Sequence, residues 1–217
     1  MNEPVEIEVK LSVADPVSLL RELARLPPTR LAGFGREGRL RRVVVTDRYV
    51  DSIDGALARV GARARLRSGP GGVVLTVKRR GLEVGGITER VELEGPATAE
   101  LEPQAWPSSA ARAAIIEAVA GGTLVEVVRL RQRRAIRMLR RGDTLVEVSV
   151  DQLEALDGDV AIASRWELEA ELKAGDRGAL AELAGALRRI HGVGPPLGSK
   201  RGFALAVADA TRGLGAR

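Results

Sequence analysis

Cysteine is absent from this chain, which removes disulfides, zinc–thiolate centres, iron–sulfur clusters and a thiol nucleophile at once. Histidine occurs once, at His191, so multi-histidine metal sites are excluded and a Ser-His-Asp triad would depend on that one residue. Aromatic side chains make up only 2% of the sequence (Phe34, Tyr49, Trp106, Trp166, Phe203), too few for the stacking platforms of single-stranded nucleic-acid binders. No apolar run approaches the roughly 18 residues of a membrane span. The opening Met1-Asn2-Glu3-Pro4 lacks the apolar core of a secretory signal. The expected location is cytoplasmic, with no membrane partner.

What is present is ordinary for a soluble globular chain: 217 residues, 45% hydrophobic and 29% charged, enough to bury a core. Lys+Arg outnumber Asp+Glu 34 to 29, a net charge of +5 that points to anionic partners without choosing among them. Residues 5–11 alternate Val5, Ile7, Val9 and Leu11 with Glu6, Glu8 and Lys10, the period of a strand with all three charges on one face. Asp15-Pro16 opens a helix to about Leu26. Further strands are predicted over 40–50, 61–67, 73–80, 87–94, 123–139 (with a break), 144–151 and 165–173. Helices are predicted over 110–120, 176–190 and 200–210. Ser68-Gly69-Pro70-Gly71-Gly72 is a turn signal joining two of the strands into a hairpin. About eight meandering strands imply a mainly β (α+β) fold, a closed or nearly closed antiparallel barrel with flanking helices.

Charge is sorted among these strands. Arg63, Arg65 and Arg67 share one face, as do Arg129, Arg131 and Arg133; Glu167, Glu169 and Glu171 share another, and Glu92 and Glu94 another. Same-face neighbours on a strand lie roughly 7 Å apart. Like charges at that spacing repel by roughly 0.6 kcal/mol in bulk water, and by more in an enclosed site. A single such row fits a wet sheet face. Several rows in one small chain fit a polar interior, with cationic walls for an anion and acidic walls for a metal. Glu6-x-Glu8-x-Lys10 has the same logic: two carboxylates suit Mg²⁺ or Mn²⁺, and Lys10 offers a point charge to phosphate.

Other signals are structural. Gly194-Pro195-Pro196-Leu197-Gly198-Ser199-Lys200 has the wrong spacing for a phosphate loop and reads as a turn delivering Lys200. His191 serves a helix end, Trp106 a packing anchor, and Arg140-Arg141 a solvated hairpin tip.

The whole pattern resembles the CYTH domains, also called triphosphate tunnel metalloenzymes. Glu6-Ile7-Glu8-Val9-Lys10 is similar to their opening E-x-E-x-K. Tyr49-Val50-Asp51-Ser52, Leu57, Gly61 and Ala64-Arg65-Leu66-Arg67 resemble the Y-x-D-T … L … G … L-R-x-R segment, with Ala64 in place of leucine. Leu75-Thr76-Val77-Lys78 resembles the T-L-K strand, and Arg90-Val91-Glu92-Leu93-Glu94 the R-x-E-x-E strand. Glu147 to Asp151 resembles E-x-x-x-D, Glu167 to Lys173 resembles E-x-E-x-E-L-K, and Ser199-Lys200-Arg201 resembles S-K-x-R.

The resemblance implies an eight-stranded antiparallel closed barrel with flanking helices, one tunnel domain over residues 1–210, with 211–217 as a tail or the start of a linker. Lys10, Arg65, Arg67, Lys78, Arg131, Arg133 and Lys200 would hold a triphosphate or polyphosphate anion. Glu6, Glu8, Glu92, Glu94, Glu147, Asp151, Glu167, Glu169 and Glu171 would hold Mg²⁺ or Mn²⁺, and Glu6, Glu8, Lys10, Glu169 and Glu171 would form the catalytic centre. The implied activity is metal-dependent hydrolysis of a triphosphate. The alternatives are a non-catalytic polyphosphate-binding module and an adenylate cyclase. The second-half motifs are most similar to CYTH domains that accompany a CHAD domain, so the resemblance leaves room for a CHAD domain in a longer protein without requiring one. Nucleic acid is not an expected partner, because the cations alternate with carboxylate rows on inner faces and form no exposed stripe.

Overall fold

The computed structural model describes residues 3–25 and 27–215. In chain order it contains β1 (Val5–Val13), α1 (Pro16–Arg25), a 3-10 turn (Pro28–Leu31), β2 (Gly35–Ser52), α2 (Ala56–Arg59), β3 (Arg63–Gly69), β4 (Gly72–Lys78), β5 (Leu82–Val84) and β6 (Ile87–Ala97). There follow a second 3-10 turn (Pro103–Ala105), α3 (Ala110–Val119), β7 (Leu124–Arg141), β8 (Thr144–Asp157), β9 (Val160–Ala174), α4 (Arg177–Arg188), β10 (Val193–Gly194) and α5 (Lys200–Gly215). Met1 and Asn2, Leu26 at the expected end of the first helix, and Ala216 and Arg217 of the expected tail lie outside the described residues.

Eight of the strands form a closed antiparallel ring in the order β1, β9, β8, β7, β2, β3, β4, β6, and the pairing of β1 with β6 shuts it. β10 extends β1 and β5 extends β6. The expected closed antiparallel architecture with flanking helices is therefore the one observed. Closure abolishes ring edges and assigns one side-chain parity on every strand to the interior and the other to the outer face.

The outer face is apolar where helices cover it. Leu19 of α1 and Leu180, Leu183 and Leu187 of α4 pack on Val9, Leu11, Val148, Val150 and Leu168 from β1, β8 and β9. α3 contributes Ala111, Ile115 and Val119 against Leu66, Leu75, Val77 and Leu93 of β3, β4 and β6. Trp106 is buried beside it, donating Nε1–H to the Glu100 carbonyl at 2.9 Å, the packing anchor expected. α5 is different. It packs Phe203, Ala204 and Val207 against Tyr49, Leu130, Leu153 and Ala155 and so closes one end of the ring.

Local chemistry explains the joints. The β3–β4 hairpin turns through Pro70-Gly71, with Gly69 opposite Gly72 and Gly72 at φ +99°. Asp176 caps α4 by accepting the Gly178 and Ala179 amides at 3.1 and 2.8 Å. Immediately before it Gly175 has φ +93°, and a Cβ there would stand 2.5 Å from the Thr144 Cα, so only glycine serves.

Several expected boundaries are corrected. β7 is unbroken over 18 residues: its pairing with β2 continues past a bulge in β2 between Glu37 and Arg41 and past a one-residue bulge in β7 itself at Val127, opposite Tyr49 and Val50. β2 starts at Gly35, β8 continues to Asp157 and β9 starts at Val160. α5 runs on to Gly215 instead of ending at Ala210. His191 stands beyond the last residue of α4, exposed, and does not end the helix itself.

Candidate functional site: a belt of alternating charge inside the ring

The ring encloses a cavity of about 700 Å³ lined by twelve Lys and Arg side chains and seven glutamates, a cationic surplus of five. Tyr49 is the only aromatic residue in its wall. All four lysines of the chain (Lys10, Lys78, Lys173, Lys200) line it, although the sequence holds thirty arginines.

The charged side chains are linked into a closed belt. Lys78 donates to Glu6 at 2.7 Å and stands 3.2 Å from Glu92. Arg90 bridges Glu6, at 2.8 Å, and Glu8. Lys10 spans Glu8 and Glu169 at 2.5 and 2.6 Å. Lys200 then bonds Glu169 and the Gln132 carbonyl oxygen, both at 2.8 Å. The Gln132 amide donates onward to Asp47. Asp47 accepts from Arg67 at 2.7 and 2.8 Å and from Arg65 at 3.2 Å, and Arg65 returns to within 3.9 Å of Glu92. Signs alternate around this circuit, with one neutral member, Gln132.

The strands produce the belt by parity and register. Glu8 faces Glu171 and Lys10 faces Glu169 across β1–β9, Arg90 faces Glu6 across β6–β1, and Asp47 faces Arg67 across β2–β3. Lys200, at the first turn of α5, reaches in from the closed end.

Of the residues predicted from the sequence, Glu6, Glu8, Lys10, Arg65, Arg67, Lys78, Glu92, Glu94, Glu147, Glu169, Glu171 and Lys200 meet in the cavity wall. Asp151 and Glu167 lie just behind it. Asp151 accepts from Lys200 at 2.8 Å and Arg134 at 3.0 Å, while Glu167 pairs with Arg165 at 2.9 Å. Arg131 and Arg133 require correction. They carry the outer parity of β7, share Glu154 at 2.5 and 3.7 Å outside the ring, and do not line the cavity. Their neighbours Gln132 and Arg134 point inward instead. Arg90 and Asp47 were also missed as site residues. Arg90 stands in the R-x-E-x-E segment, and Asp47 shares its parity with Tyr49, so both could have been found.

The belt sets the ionisation of its members. Burial opposes ionisation of Glu6, yet Lys78, Arg90 and Lys10 hold it down at about 2. Asp47 is likewise buried but is held well below the ordinary carboxylate range by Arg65 and Arg67. Burial would strip Lys10 of charge, but Glu169 and Glu8 keep it firmly ammonium. Glu92 is pushed up to about 7 by burial and by Glu6 beside it, and Glu167 to about 7 by burial and Glu169. Glu171 is raised by burial, with Glu6 and Glu147 adding to it against the pull of Lys173.

A divalent ion fits this donor set in kind. The acidic wall offers only carboxylate oxygens, as hard cations require, and the mutual repulsion of Glu171, Glu147, Glu6 and Glu92 is what a cation would relieve. Among the described residues, however, no three acidic side chains already stand in ligating positions. No helix among them is long and apolar enough to cross a membrane.

Fold and site together define a protein with a charged intramolecular tunnel. The chain belongs to the CYTH family, whose domain model matches residues 5–200. Among solved structures it is similar to HpAC1 from Hippeastrum, described as a putative adenylyl cyclase that reveals a dominant triphosphatase activity. That match has TM-score 0.67 and 20% identity over 93% of this chain and 95% of that one. It is also similar to the bh2851 protein of Bacillus halodurans, named for adenylate cyclase, with TM-score 0.60 and 16% identity over 94% of this chain and 98% of that one. The PH1819 protein of Pyrococcus horikoshii OT3 gives TM-score 0.52 and 16% identity over 94% of this chain and 99% of that one. At these identities the likeness is one of fold. No curated protein sequence matches significantly.

Proposed function

We propose that this protein hydrolyses a phosphoanhydride chain, such as inorganic triphosphate, a short polyphosphate or another triphosphate, bound in the tunnel with Mg²⁺ or Mn²⁺. The observation that carries this reading is Arg65. It is a belt cation whose Nε–H is buried with no partner among the described residues, and its side-chain hydrogen bond to Asp47 is long at 3.2 Å. A buried guanidinium donor without an acceptor is costly unless a ligand supplies one. Phosphate oxygens match its geometry.

In this reading Arg65, Arg67, Lys78 and Lys200 grip the non-bridging oxygens, and Lys10 and Arg90 hold the carboxylates opposite them in place. Glu6, Glu8, Glu147, Glu169 and Glu171, with Glu92 and Glu94 beside them, would hold the divalent ion, which supplies charge neutralisation and a fixed position for the attacked phosphorus. The enclosed, cation-rich wall stabilises charge on the equatorial oxygens as water attacks the terminal phosphorus, its bond to the bridging oxygen breaks and the shortened phosphate chain leaves.

A second reading, a non-catalytic polyanion-binding module, draws on one observation: the acidic side chains are engaged by lysine and arginine, with none gathered as a ready metal cage. The names of the relatives suggest cyclase chemistry, but a wall whose only aromatic is Tyr49 gives a purine little to stack on. A cytoplasmic location and a CHAD-type partner stay part of the proposal. Phosphate release from tripolyphosphate and from ATP, each with Mg²⁺ and with Mn²⁺, tests it. Release from tripolyphosphate well above ATP supports it; tight binding without release favours the module; cyclic AMP formation would overturn it.

A further inference from the structure

Asp47 and Gln132 touch neither the open cavity nor solvent, yet the two halves of the cationic wall meet through them. Both are completely buried at 0% exposure. The Asp47 carboxylate receives four N–H donors from three residues on two strands: the Arg67 Nε–H and Nη–H pair, one Arg65 N–H, and the Gln132 amide. Gln132 accepts from Lys200 on its other side. A buried carboxylate in a cavity meant for anions works against anion affinity, since it cancels one of the surrounding positive charges. Its presence needs another reason.

We infer that Asp47 and Gln132 form a positioning couple that fixes the Arg67 and Arg65 guanidiniums and the Lys200 ammonium relative to one another, trading some phosphate affinity for geometry. The inference rests on the phosphate-binding reading of the cavity. The couple spans the only neutral link in the belt. A charged residue at Gln132 would either repel Asp47 or repel Lys200, whereas an amide presents an acceptor to one and a donor to the other. Held at two points, Arg67 presents its remaining N–H groups in one direction. Arg65, held at one, is oriented but keeps free donors for the ligand. Misplacement by about 1 Å can cost on the order of 10²-fold in rate. The couple therefore acts mainly on turnover and little on binding.

Asp47→Asn, Gln132→Met and the double variant test this in the full chain. Asparagine keeps the volume but sets an NH₂ against a guanidinium NH₂, and methionine removes both bonds of the amide. For Asp47→Asn the expected kcat for tripolyphosphate with Mg²⁺ falls roughly 10²-fold, while calorimetric affinity holds or rises, because the cavity gains a positive charge. The double variant should lose scarcely more kcat than Asp47→Asn alone, as residues acting as one unit do. Rotation about the Arg67 Cζ–Nε bond, followed by nitrogen-15 NMR, should change from slow to averaged in the single variants. Unchanged kcat, a proportional loss of kcat and affinity, or unchanged Arg67 rotation would each overturn the inference. If Asp47→Asn does not fold, Gln132→Met carries the same test, with wild-type kcat as the overturning result. A wild type that neither binds nor cleaves tripolyphosphate sinks the functional reading instead, and the Arg67 rotation still decides whether the clamp exists.

Discussion

A single step of parity separates Arg133 from Arg134, and it decides which arginine a bound anion could meet. Arg133 pairs with Glu154 outside the ring, while Arg134 reaches Ser149 at 2.8 Å and Asp151 inside. The run Arg131-Gln132-Arg133-Arg134 has no apolar alternation to fix its register, so the inner parity of β7 was not legible there; it follows only from pairing with β2 and β8. On β1, by contrast, Val5 to Leu11 alternates cleanly and Glu6, Glu8 and Lys10 were readable as one inner face. Glu171 offers the cleanest residue-scale test of the acidic wall, because among the described residues it pairs with Lys173 alone, at 2.5 Å, whereas Glu169 joins two belt lysines. Glu171→Gln should weaken Mn²⁺ binding and remove most turnover while tripolyphosphate still binds. Titrating both ligands onto the variant would show it, and equal loss of both would contradict the division between acidic and basic walls.

At the scale of elements, the helices divide into those outside the ring and the one across its end. Leu187 is fully buried in the layer between α4 and the outer face of β1, β8 and β9. Leu187→Ala should cost about 2–5 kcal/mol of unfolding free energy and leave tripolyphosphate affinity unchanged, read by denaturant titration beside calorimetry. α5 carries Lys200 at its start and closes the ring with Phe203, Ala204 and Val207. Ala204→Asp would bury an unpaired charge against Leu130 and Leu153, so it should lower the melting temperature and tripolyphosphate affinity together, and an effect on neither would show that α5 does not seat as described. Most of the helices and ring strands were legible from proline, capping and period signals. β5 and α2 were not: three residues and four residues are too short to display a period, and both are set by their neighbours, α2 through Asp51 accepting the Leu57 and Ala58 amides at 2.9 and 3.1 Å. The eight-strand count was legible, but ring closure itself is a long-range pairing of β1 with β6 that no local pattern encodes.

Over the whole molecule, carboxylates pushed in opposite directions shape the dependence of stability on pH. Glu92 and Glu167 rise from 4.5 to about 7, so the folded state binds more protons than the unfolded state between those values, and their ionisation erodes stability as pH rises from about 4.5 through 7. Glu6 falls to about 2, so its contribution is present above 4.5 and is lost as pH drops toward 2. Without ligands the protein should be most stable near pH 5, less so at pH 8 and much less so at pH 2.5, as denaturant titrations at those values would reveal; stability that climbs steadily to pH 8 would contradict the raised carboxyls. The same asymmetry of charge appears in the placement of every lysine in the cavity wall while the outside is served by arginine. The central claim, that the tunnel and not the arginine-rich exterior is the anion site, is tested most directly by calorimetric titration of tripolyphosphate onto wild type, Arg65→Ala and Arg133→Ala. Each charge-assisted bond is worth about 1.5–3 kcal/mol, so Arg65→Ala should bind roughly ten- to a hundredfold more weakly, with Arg133→Ala indistinguishable from wild type. Equal weakening by the two substitutions, or binding no tighter than sulfate in the wild type, would contradict the account.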